Sequence, residues 1–526
     1  MAGPPVATGL QQGEQELVPY CRRGRRRRRP KRPTMLTVFL VTLLVILAYW
    51  STRKPKDLPP GRWGLPLVGY LPFNITVFGD VIHQFKKDYG SIFTWRVGSH
   101  VVVGLNDFPL IKSVLSMPQC QGRPDLFTFN VFKMNTNSGL VFSEGRVWHE
   151  GRRFALRHLR DFGLGKTSME EIIQREAQEL VAEFGRSEEQ PIEVSWSLNV
   201  AVLNVIWGIV ANRRYSIHDP EILRFSKMVA TNLEIIQGPA ALLDMFPWLA
   251  RVAPSALLDR WMKVDVLYAN LADFHKFVMD IVEEHKESMD LNSPRDLIDT
   301  YLAMRGEEPA FGASRPPDIN LFATISDLFG AGSETTSSTT RWVLLLMALH
   351  PEVQAKVQKE IDEVVARNSL PSLQDKDKMP YTDAMLLETL RYSSLLPLSL
   401  FHATTEEVKI SGYTIPKGAL LMANVEGCHR DPAYWEKPDE FYPEHFLDEG
   451  GRLLTKKEGF LPFSTGRRQC LGESLARMEL FLFVSAILQN FTIKAPEGIA
   501  LTAEKDKSNR LFNTVRPYKI VFAKRP

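Results

Sequence analysis

The hydrophobic and polar positions divide the chain into a short N-terminal part and a long body. Residues 35–50 (MLTVFLVTLLVILAYW) are apolar apart from two threonines, so no polar face balances the apolar one. Residues 319–349 form a second long apolar pattern, which is unusually long for one helix of a globular protein. From about residue 73 onward, helical patterns and turn signals follow one another without a long low-complexity gap. With 44% hydrophobic residues among 526, the chain is predicted to form one large domain after the N-terminal part.

The first apolar run has the composition of a membrane helix. A span needs about 20 apolar residues, within a range of about 17–25, and Tyr49 and Trp50 stand where interfacial aromatics are expected. The sequence therefore predicts a membrane anchor over residues 35–52. A cleaved secretory signal is the alternative, but charges and prolines follow the run in place of a small-residue cleavage site. The proline- and glycine-rich residues 53–72 predict a stiff hinge before the body at 73–526.

The net charge of +3 is close to neutral, but the charges are unevenly distributed. Residues 1–34 predict a basic, disordered extension, with nine basic residues at 22–33 against four at 53–62. The positive-inside rule would then place the body in the lumen, whereas we expect a cytosolic body, with Met35 as an alternative start of translation. A glycan on Asn74, which begins an N-x-T sequon, would contradict the cytosolic orientation.

The arginine-rich segment also has a nucleic-acid interpretation, through contacts to phosphates. No aromatic residues interleave with the basic ones, however, and a membrane anchor is predicted directly after them. A solvated tail is therefore favoured, and no nucleic-acid partner is expected.

Four cysteines are spread along the chain without a C-x-x-C pair: Cys21, Cys120, Cys428 and Cys470. This spacing argues against a disulfide framework and against a multi-cysteine zinc site. It fits a body that folds in a reducing compartment. We expect Cys120 and Cys428 to be buried apolar residues.

The neighbours of Cys470 give it a different character. It lies in the segment PFSTGRRQCLG at residues 462–472, and a run of helix formers follows at once. Cys470 would then lie at a helix N-terminus, where the helix dipole and free backbone N–H groups favour a thiolate. A buried cysteine in a loop before a helix is the alternative. The segment resembles the haem-ligand pattern F-x-x-G-x-R-x-C-x-G of the cytochrome P450 family, and the matching positions are Phe463, Gly466, Arg468, Cys470 and Gly472.

The resemblance implies a role for each part of this loop. Cys470 would be the fifth ligand of a haem b iron, and its thiolate would push electron density onto the metal and favour O–O cleavage. Arg468 would reach a haem propionate. Gly466 would permit a tight turn, and Gly472 would allow the backbone to approach the macrocycle closely. Phe463 completes the expected cofactor-binding loop.

A second motif lies within the long apolar pattern. Ala331 and Thr335 are four residues apart and share a helix face. The segment AGSETT also matches the family's A-G-x-[ED]-T-T motif, which implies a helix crossing the distal haem face. There the small Ala331 would leave room for oxygen and substrate, and Thr335, assisted by Glu334 and water, would deliver protons. A helix that tolerates glycine for packing is the alternative.

An E-x-x-R motif at Glu388 and Arg391 places the two side chains on one helix face, where they can form an ion pair. Its position upstream of the cysteine loop is that of the family's K helix. The family often has arginine where His445 stands, and a histidine there could hydrogen-bond to the pair. We expect a structural role for this group.

Four further residues match propionate-binding positions of the family. Trp148 and Arg152, at i and i+4, would present an indole N–H and a guanidinium to one propionate. Arg123 and His402 match two other such positions. A dense basic cluster overlaps the first pair, and one face of it either attracts an acidic electron donor or is merely solvated. Its members are Arg152, Arg153, Arg157, His158 and Arg160.

The resemblance covers about residues 58–526 and implies a mostly α (α+β) fold, a triangular prism of helices with small β-sheets. It is to the animal microsomal clan, which includes drug- and steroid-metabolising enzymes and arthropod hormone-pathway hydroxylases. It implies a monooxygenase anchored in the endoplasmic reticulum membrane that inserts one oxygen atom of O2 into a lipophilic molecule. Electrons would come from NADPH through NADPH–cytochrome P450 reductase, with cytochrome b5 as a further candidate partner.

Other activities remain open at this point. The same fold also serves isomerases and dehydratases that need no electrons, and a non-enzymatic haem carrier or sensor is a further alternative. The Glu334–Thr335 pair favours oxygen activation over both. We expect the apolar segments 127–131, 233–236 and 396–400 to line the pocket, which would suit a steroid, terpenoid, fatty acid or foreign lipophile.

Overall fold

The computed structural model describes residues 35–51, 53–71, 78–162, 167–290, 292–304 and 317–526. The predicted extension at 1–34 and the sequon at Asn74 lie outside the described residues. So do Thr52 and Pro72, which end the predicted anchor and hinge.

The chain divides after Trp50 into two compact units. In the first unit, helix α1 extends over Met35–Ser51 and includes the whole apolar run of 35–50. Across the ranges just given, no helix combines the length and the apolarity needed to cross a membrane.

The second unit is mostly helical, as predicted. Long helices make up its body, and short ones occur in the connections. The helices are α2 Phe78–Tyr89, α3 Phe108–Ser116, α4 Phe127–Phe132, α5 Gly145–Asp161, α6 Thr167–Gly185, α7 Ser195–Ala211, α8 Pro220–Gln237, α9 Ala241–Met245, α10 Leu249–Val252, α11 Ser255–Arg260, α12 Val264–Ser288, α13 Leu297–Met304, α14 Pro317–Leu349, α15 Pro351–Val364, α16 Pro380–Ser393, α17 Val425–His429 and α18 Glu473–Asn490.

The strands form small sheets, which also agrees with the prediction. The largest sheet has the order β1-β2-β3-β7-β4, with β2 and β3 antiparallel and β3 parallel to β7. Two further pairs, β5 with β6 and β8 with β9, form antiparallel two-stranded sheets. The strands are β1 Gly61–Arg62, β2 Ile92–Val97, β3 His100–Leu105, β4 His402–Ala403, β5 Val408–Ile410, β6 Tyr413–Ile415, β7 Leu420–Ala423, β8 Phe491–Lys494 and β9 Val521–Lys524.

Helix α14 is the central element of the second unit and confirms the long helix predicted over 319–349. It packs against α7, α16 and α18, among others, which explains why its C-terminal part, from Trp342 onward, is apolar on all sides. Every side chain from Trp342 to Met347 is essentially inaccessible to solvent. Burying each large apolar side chain of this kind contributes roughly 1.5–3 kcal/mol. The motif residues 331–336 thus lie one to three turns before a fully buried part of the same helix.

Candidate active site

The loop that carries Cys470 is closed by its own backbone. The N–H of Cys470 donates to the carbonyl of Phe463 at 2.9 Å. Gly466 turns the chain with φ +78°, and a Cβ at this position would lie 2.3 Å from the carbonyl oxygen of Leu115. Glycine is required here for both its left-handed conformation and its close approach to α3. The tight turn expected at Gly466 is present.

The sulfur of Cys470 lies near the start of α18, which begins at Glu473. Burial among protein atoms raises the pKa of the Cys470 thiol, and hydrogen bonds from the backbone N–H groups of Gly472 and Glu473 oppose that rise. The residue is nevertheless exposed to a water-sized probe, as an atom that lines an internal cavity would be. The space beside Gly472 is also open, since a Cβ there would meet no atom within 4 Å. A cation placed beside the sulfur would lower the pKa of the thiol.

Arg468, two residues before the cysteine, is buried and only partly satisfied. Its Nε donates to the carbonyl of Gln121 at 3.1 Å, and its Nη2 donates to that of Ser143 at 2.7 Å. Its guanidinium lies over the ring of Trp148, 3.9 Å from the ring centre. Its buried Nη1 has no hydrogen-bond partner among the described residues.

Arg123 is a second buried cation beside this loop. Its Nε donates to the carbonyl of Val141 at 2.9 Å and its Nη1 to that of Phe401 at 2.8 Å. Burial lowers the pKa of Arg123 to about 10. Burial also lowers the pKa of Arg468 to about 8, and repulsion by the charge of Arg123 adds to that effect. Burial thus disfavours the charged form of both guanidinium groups, and the charge of Arg123 further disfavours that of Arg468.

These buried cations fit an anionic group that protein residues do not provide. Within the described ranges, neither Arg123, Arg468 nor Arg152 forms a salt bridge with a carboxylate. Glu144 and Asp327 favour the charged form of Arg123 only through space. Burying an unpaired charge costs several kcal/mol, so buried charges are normally paired. The carboxylates of haem propionates would supply the missing partners, and the exposed Cys470 would supply a sulfur ligand for the iron.

Arg152 and His402 lie on the edge of the same cluster. Arg152, one turn after Trp148 on α5, donates from Nη2 to the carbonyl of Gln469 at 2.7 Å. His402 is buried, and its Nδ1 lies 2.9 Å from the carbonyl of Cys120. A carbonyl oxygen only accepts, so Nδ1 must carry the proton. Burial, together with the charges of Arg123 and Arg468, lowers the pKa of His402 to about 3. In neutral His402, Nε2 therefore carries no proton and cannot donate to a carboxylate. A propionate would accept a hydrogen bond from Nε2 only if its negative charge raised the pKa of the ring enough to protonate that nitrogen.

The motif residues of α14 combine hydroxyl groups with one acid. The Thr335 hydroxyl donates to the Ala331 carbonyl at 2.7 Å, so its oxygen remains able to accept a further bond. Burial raises the pKa of Glu334, although Ser338 donates to its Oε1 at 3.0 Å. Ala331 is exposed although it lies in the middle of a core helix. Exposure at such a place indicates an internal cavity beside Ala331 and Thr335.

Gly332 has a different role from its neighbours in the motif. A Cβ at this position would lie 2.6 Å from Cδ1 of Ile206 on α7. The packing explanation, which the sequence left open for this helix, therefore holds for Gly332.

Asp327, one turn before Ala331 on α14, has a structural link to the cluster that sequence reasoning missed. Its Oδ2 accepts the backbone N–H groups of Leu140 at 2.6 Å and Val141 at 2.8 Å. Because Val141 in turn accepts from Arg123, the carboxylate fixes the loop that orients the arginine. A charged residue within an apolar helix was the available signal, since buried acids require partners.

The E-x-x-R motif forms a fully buried ion pair on α16. Arg391 donates from Nη2 and Nε to the two carboxylate oxygens of Glu388 at 2.7 and 2.8 Å. Nδ1 of His445 lies 3.2 Å from the Glu388 carboxylate, so the histidine does contact the ion pair. The remaining N–H groups of Arg391 donate to the carbonyls of His429, Pro438 and Glu440. The group is thus a scaffold for the segment that leads to the cysteine loop.

Two other cysteines are buried, and the predicted basic cluster divides between the core and the surface. Cys120 and Cys428 are free and buried, as expected. Within the predicted basic cluster, His158 does not share the solvated face, because it is buried in the core. Arg153, Arg157 and Arg160 are exposed on α5.

Similarity to known proteins extends over nearly the whole second unit. The family model described as Cytochrome P450 matches residues 59–522. The chain therefore belongs to the cytochrome P450 family, whose members bind haem through a cysteine thiolate.

Individual relatives cover almost all of the chain. Cytochrome P450 2L1 of Panulirus argus is 46% identical over 478 residues, which are 91% of this chain and 97% of that protein. Cytochrome P450 18a1 of Drosophila melanogaster is 35% identical over 497 residues, 92% of this chain and 90% of the relative. Cytochrome P450 2J2 of Homo sapiens is 37% identical over 461 residues, with coverages of 86% and 88%. These similarities confirm the predicted family and identify the protein as a P450 monooxygenase.

Proposed function

We propose that the protein hydroxylates or epoxidises a lipophilic small molecule of the steroid, terpenoid, fatty-acid or xenobiotic type. NADPH–cytochrome P450 reductase would pass two electrons from NADPH, with cytochrome b5 as a second candidate donor. One oxygen atom of O2 enters the substrate, and the other leaves as water with two protons. The observation that carries the proposal is the cluster of unpaired buried arginines beside the open sulfur of Cys470.

The bound haem would supply the activation of O2, while the protein binds, orients and tunes it. Cys470 would ligate the iron as a thiolate. Arg123 and Arg468 would hold the propionates by charge-assisted hydrogen bonds, with Trp148, Arg152 and His402 as further propionate ligands. Phe463, Gly466 and Gly472 would shape the loop around the sulfur.

Within α14, Glu334 and Thr335 would hold and transfer protons. Burial raises the pKa of Glu334, so this carboxyl group holds its proton more tightly than a solvated one. The Thr335 hydroxyl donates to the Ala331 carbonyl. Its oxygen can accept a hydrogen bond from a water molecule, and the hydroxyl can rotate to donate its own hydrogen to a second acceptor. The small Ala331 would leave room for O2 and the reacting carbon.

The segments proposed to line the pocket favour an apolar substrate. Residues 127–131 fall in α4, residues 233–236 fall in α8, and residues 396–400 follow α16. Phe129 and Leu398 belong to one buried apolar cluster, and the carbonyl next to Leu400, that of Phe401, accepts from Arg123. The hydrogen bond from Arg123 thus links the proposed pocket segment 396–400, through the adjacent Phe401, to the proposed propionate site.

The electron donor would dock by charge on α5. The exposed Arg153, Arg157 and Arg160 form a cationic stripe, since their spacings of four and three residues place them on one face. Such a stripe would steer an acidic partner surface toward the helix that also carries Trp148 and Arg152.

We further propose that residues 35–52 anchor the protein in the endoplasmic reticulum membrane, with residues 53–72 as a hinge and a cytosolic catalytic domain at 73–526. Exposed apolar side chains within the second unit support contact with lipid. Leu67 is 74% exposed and Trp248 is 50% exposed. The turn at Gly98–Ser99 links the segment of Leu67 to the segment of Trp248. Its two N–H groups donate to the carbonyl of Val68, next to Leu67, and to that of Met245, three residues before Trp248.

The proposed chemistry is tested with haem-loaded full-length protein, reductase and NADPH against steroids, sesquiterpenoids and fatty acids. We expect substrate-dependent NADPH consumption and one oxygen atom from labelled O2 in the product. Cys470→Ala should abolish both turnover and the absorption band of the thiolate–carbon monoxide complex. Cys428→Ala, which removes another buried cysteine, should preserve both.

Four other outcomes would each favour an alternative. NADPH-independent turnover of a hydroperoxide would indicate an isomerase or dehydratase. Failure to consume NADPH with every substrate would indicate a carrier or sensor. Loss of function on deleting residues 1–34 would revive a nucleic-acid role, and a glycan on Asn74 would place the body in the lumen.

A further inference from the structure

His429, the last residue of α17, is completely buried and has a partner at each ring nitrogen. Its Nδ1 lies 2.9 Å from the hydroxyl of Ser394, which follows the end of α16. Its Nε2 accepts the backbone N–H of Leu461 at 2.8 Å. The ring therefore joins the helix of the E-x-x-R motif to the segment that enters the cysteine loop.

The protonation state of His429 follows from its partners. A backbone N–H only donates, so Nε2 must be without a proton. The Ser394 hydroxyl donates its own hydrogen to the carbonyl of Arg391 at 2.7 Å, so it accepts from Nδ1–H. Only the neutral tautomer with a proton on Nδ1 satisfies both contacts. The nearby charges are those of Arg391, Glu426 and Arg430, and burial followed by the charge of Arg391 lowers the pKa of His429 to about 3.

Leu461 is the buried root of the cysteine loop. It is 5% exposed, whereas the next five residues, 462–466, are half-buried. Its carbonyl accepts the N–H of Ser464 at 3.0 Å, and the Phe463 carbonyl accepts the N–H of Cys470 at 2.9 Å. A short series of backbone hydrogen bonds thus connects the Leu461 anchor to the cysteine. At the far end the loop is held by α18, and at this end by His429.

We propose that His429 is a positioning residue that fixes the Cys470 sulfur by accepting the Leu461 N–H in its neutral form. The inference rests on the proposed haem ligation by Cys470. Without the ring nitrogen, the Leu461 N–H would be a buried donor without an acceptor, and the loop would relax to satisfy it. The sulfur would then leave its place beside the iron more readily, while the rest of the fold remained intact.

His445 offers a matched control. It is buried too, its Nδ1 contacts the carboxylate of Glu388, and its Nε2 accepts a backbone N–H at 3.2 Å. That N–H belongs to Lys437, which lies outside the cysteine loop. Both rings thus accept a backbone N–H at Nε2, but the ring of His429 binds the Ser394 hydroxyl and the N–H of Leu461, whereas the ring of His445 binds the Glu388 carboxylate and an N–H outside the loop.

The experiment compares His429→Phe, His429→Gln, His429→Asn and His445→Phe in the haem-loaded full chain. Urea titrations follow two signals, namely the absorption band of the thiolate–carbon monoxide complex and helix content.

Glutamine can place an amide oxygen near the position of Nε2, whereas the shorter asparagine reaches only the position of Nδ1. For His429→Phe we expect the population without thiolate ligation to rise roughly five- to thirtyfold before helix content falls, which corresponds to one unsatisfied buried donor.

His429→Gln should retain the band close to wild type, His429→Asn should lose it early, and His445→Phe should lose band and helix content together. The inference is overturned if band and helix content disappear together in every His429 variant, or if His445→Phe loses the band equally early. If the phenylalanine variant does not fold, the order of glutamine and asparagine decides, and a band retained better by asparagine contradicts the proposal. Absence of the band from the wild type would instead refute the ligation by Cys470 itself, and the inference with it.

Discussion

Arg468 lies over Trp148, with its guanidinium carbon 3.9 Å from the centre of the indole ring. The stacking holds the guanidinium while two of its nitrogens bind backbone carbonyls. The third nitrogen, Nη1, is buried without a partner in the described part of the chain. A cation fixed on three sides and unsatisfied on the fourth is suited to bind a carboxylate without reorganising.

Replacing this arginine should weaken haem retention. Arg468→Leu would remove the charge-assisted hydrogen bond proposed for the propionate, and we expect haem loss to accelerate roughly tenfold to hundredfold. The measurement is the rate of haem transfer to a haem-scavenging protein. Arg467→Leu, at the exposed neighbouring position, is the control and should leave the rate nearly unchanged. Equal rates for both variants would contradict the proposed propionate contact.

The buried ion pair of α16 should be critical for stability. Arg391→Leu leaves the carboxylate of Glu388 buried without its bidentate partner, so we expect a loss of about 3–5 kcal/mol in the free energy of unfolding. Urea titration followed by helix content measures it. Lys359→Leu, which breaks an exposed pair with Glu363 at 3.8 Å, should cost less than about 1 kcal/mol. A small effect at Arg391 would mean that Glu388 finds another partner or a proton.

Removing the Thr335 hydroxyl should uncouple electron transfer from product formation. If Thr335 passes protons, Thr335→Ala should lower the product formed per NADPH roughly tenfold or more, with reduced oxygen species released instead. The ratio of product and peroxide to NADPH measures the effect. Thr339→Ala removes a buried hydroxyl one turn later, which donates to the Thr335 carbonyl at 2.8 Å. That control should keep its coupling, and a similar loss in both variants would point to helix packing.

Asp327 should make stability depend on pH in an unusual direction. Burial raises the pKa of Asp327 from 3.8 to about 7. The folded protein therefore binds this proton more tightly than the unfolded chain, so this group's contribution to the free energy of unfolding falls as pH rises from about 4 to about 7. The fall attributable to Asp327 is on the order of 1–4 kcal/mol.

Asp327→Asn should remove that dependence without releasing the loop. The amide oxygen can accept both N–H groups that now bind Oδ2, those of Leu140 and Val141. Urea midpoints across this pH range, compared between wild type and variant, measure the difference. Parallel curves for the two proteins would show that Asp327 does not titrate in this range.

The local parts of the site were predictable from the sequence. The spacing around Cys470 and the helix formers after it predicted a cysteine just before a helix, and α18 begins at Glu473. The apolar pattern at 319–349 predicted α14 to within two residues. Both predictions rest on periodicity and on helix-terminus chemistry, which depend only on neighbours along the chain.

Several polar contacts could not be predicted in this way. Asp327 binds a loop 187 residues earlier in the chain, at Leu140, and His429 binds Leu461, which lies 32 residues later. Their residue types announce that a buried polar group needs a partner, but not which one. Pattern also grouped His158 with the exposed arginines of α5, whereas packing turned it into the core.

By itself, the sequence determined helices α14 and α18, the cysteine loop and the family, because each depends on short-range spacing. Tertiary structure alone decided that Arg468 lies over Trp148 and within the field of the Arg123 charge, since the three residues come from separated segments. Whether a guanidinium is buried and unpaired depends on the atoms that packing brings around it. That environment, rather than the residue type alone, is the basis of the anion binding that we propose for this cluster.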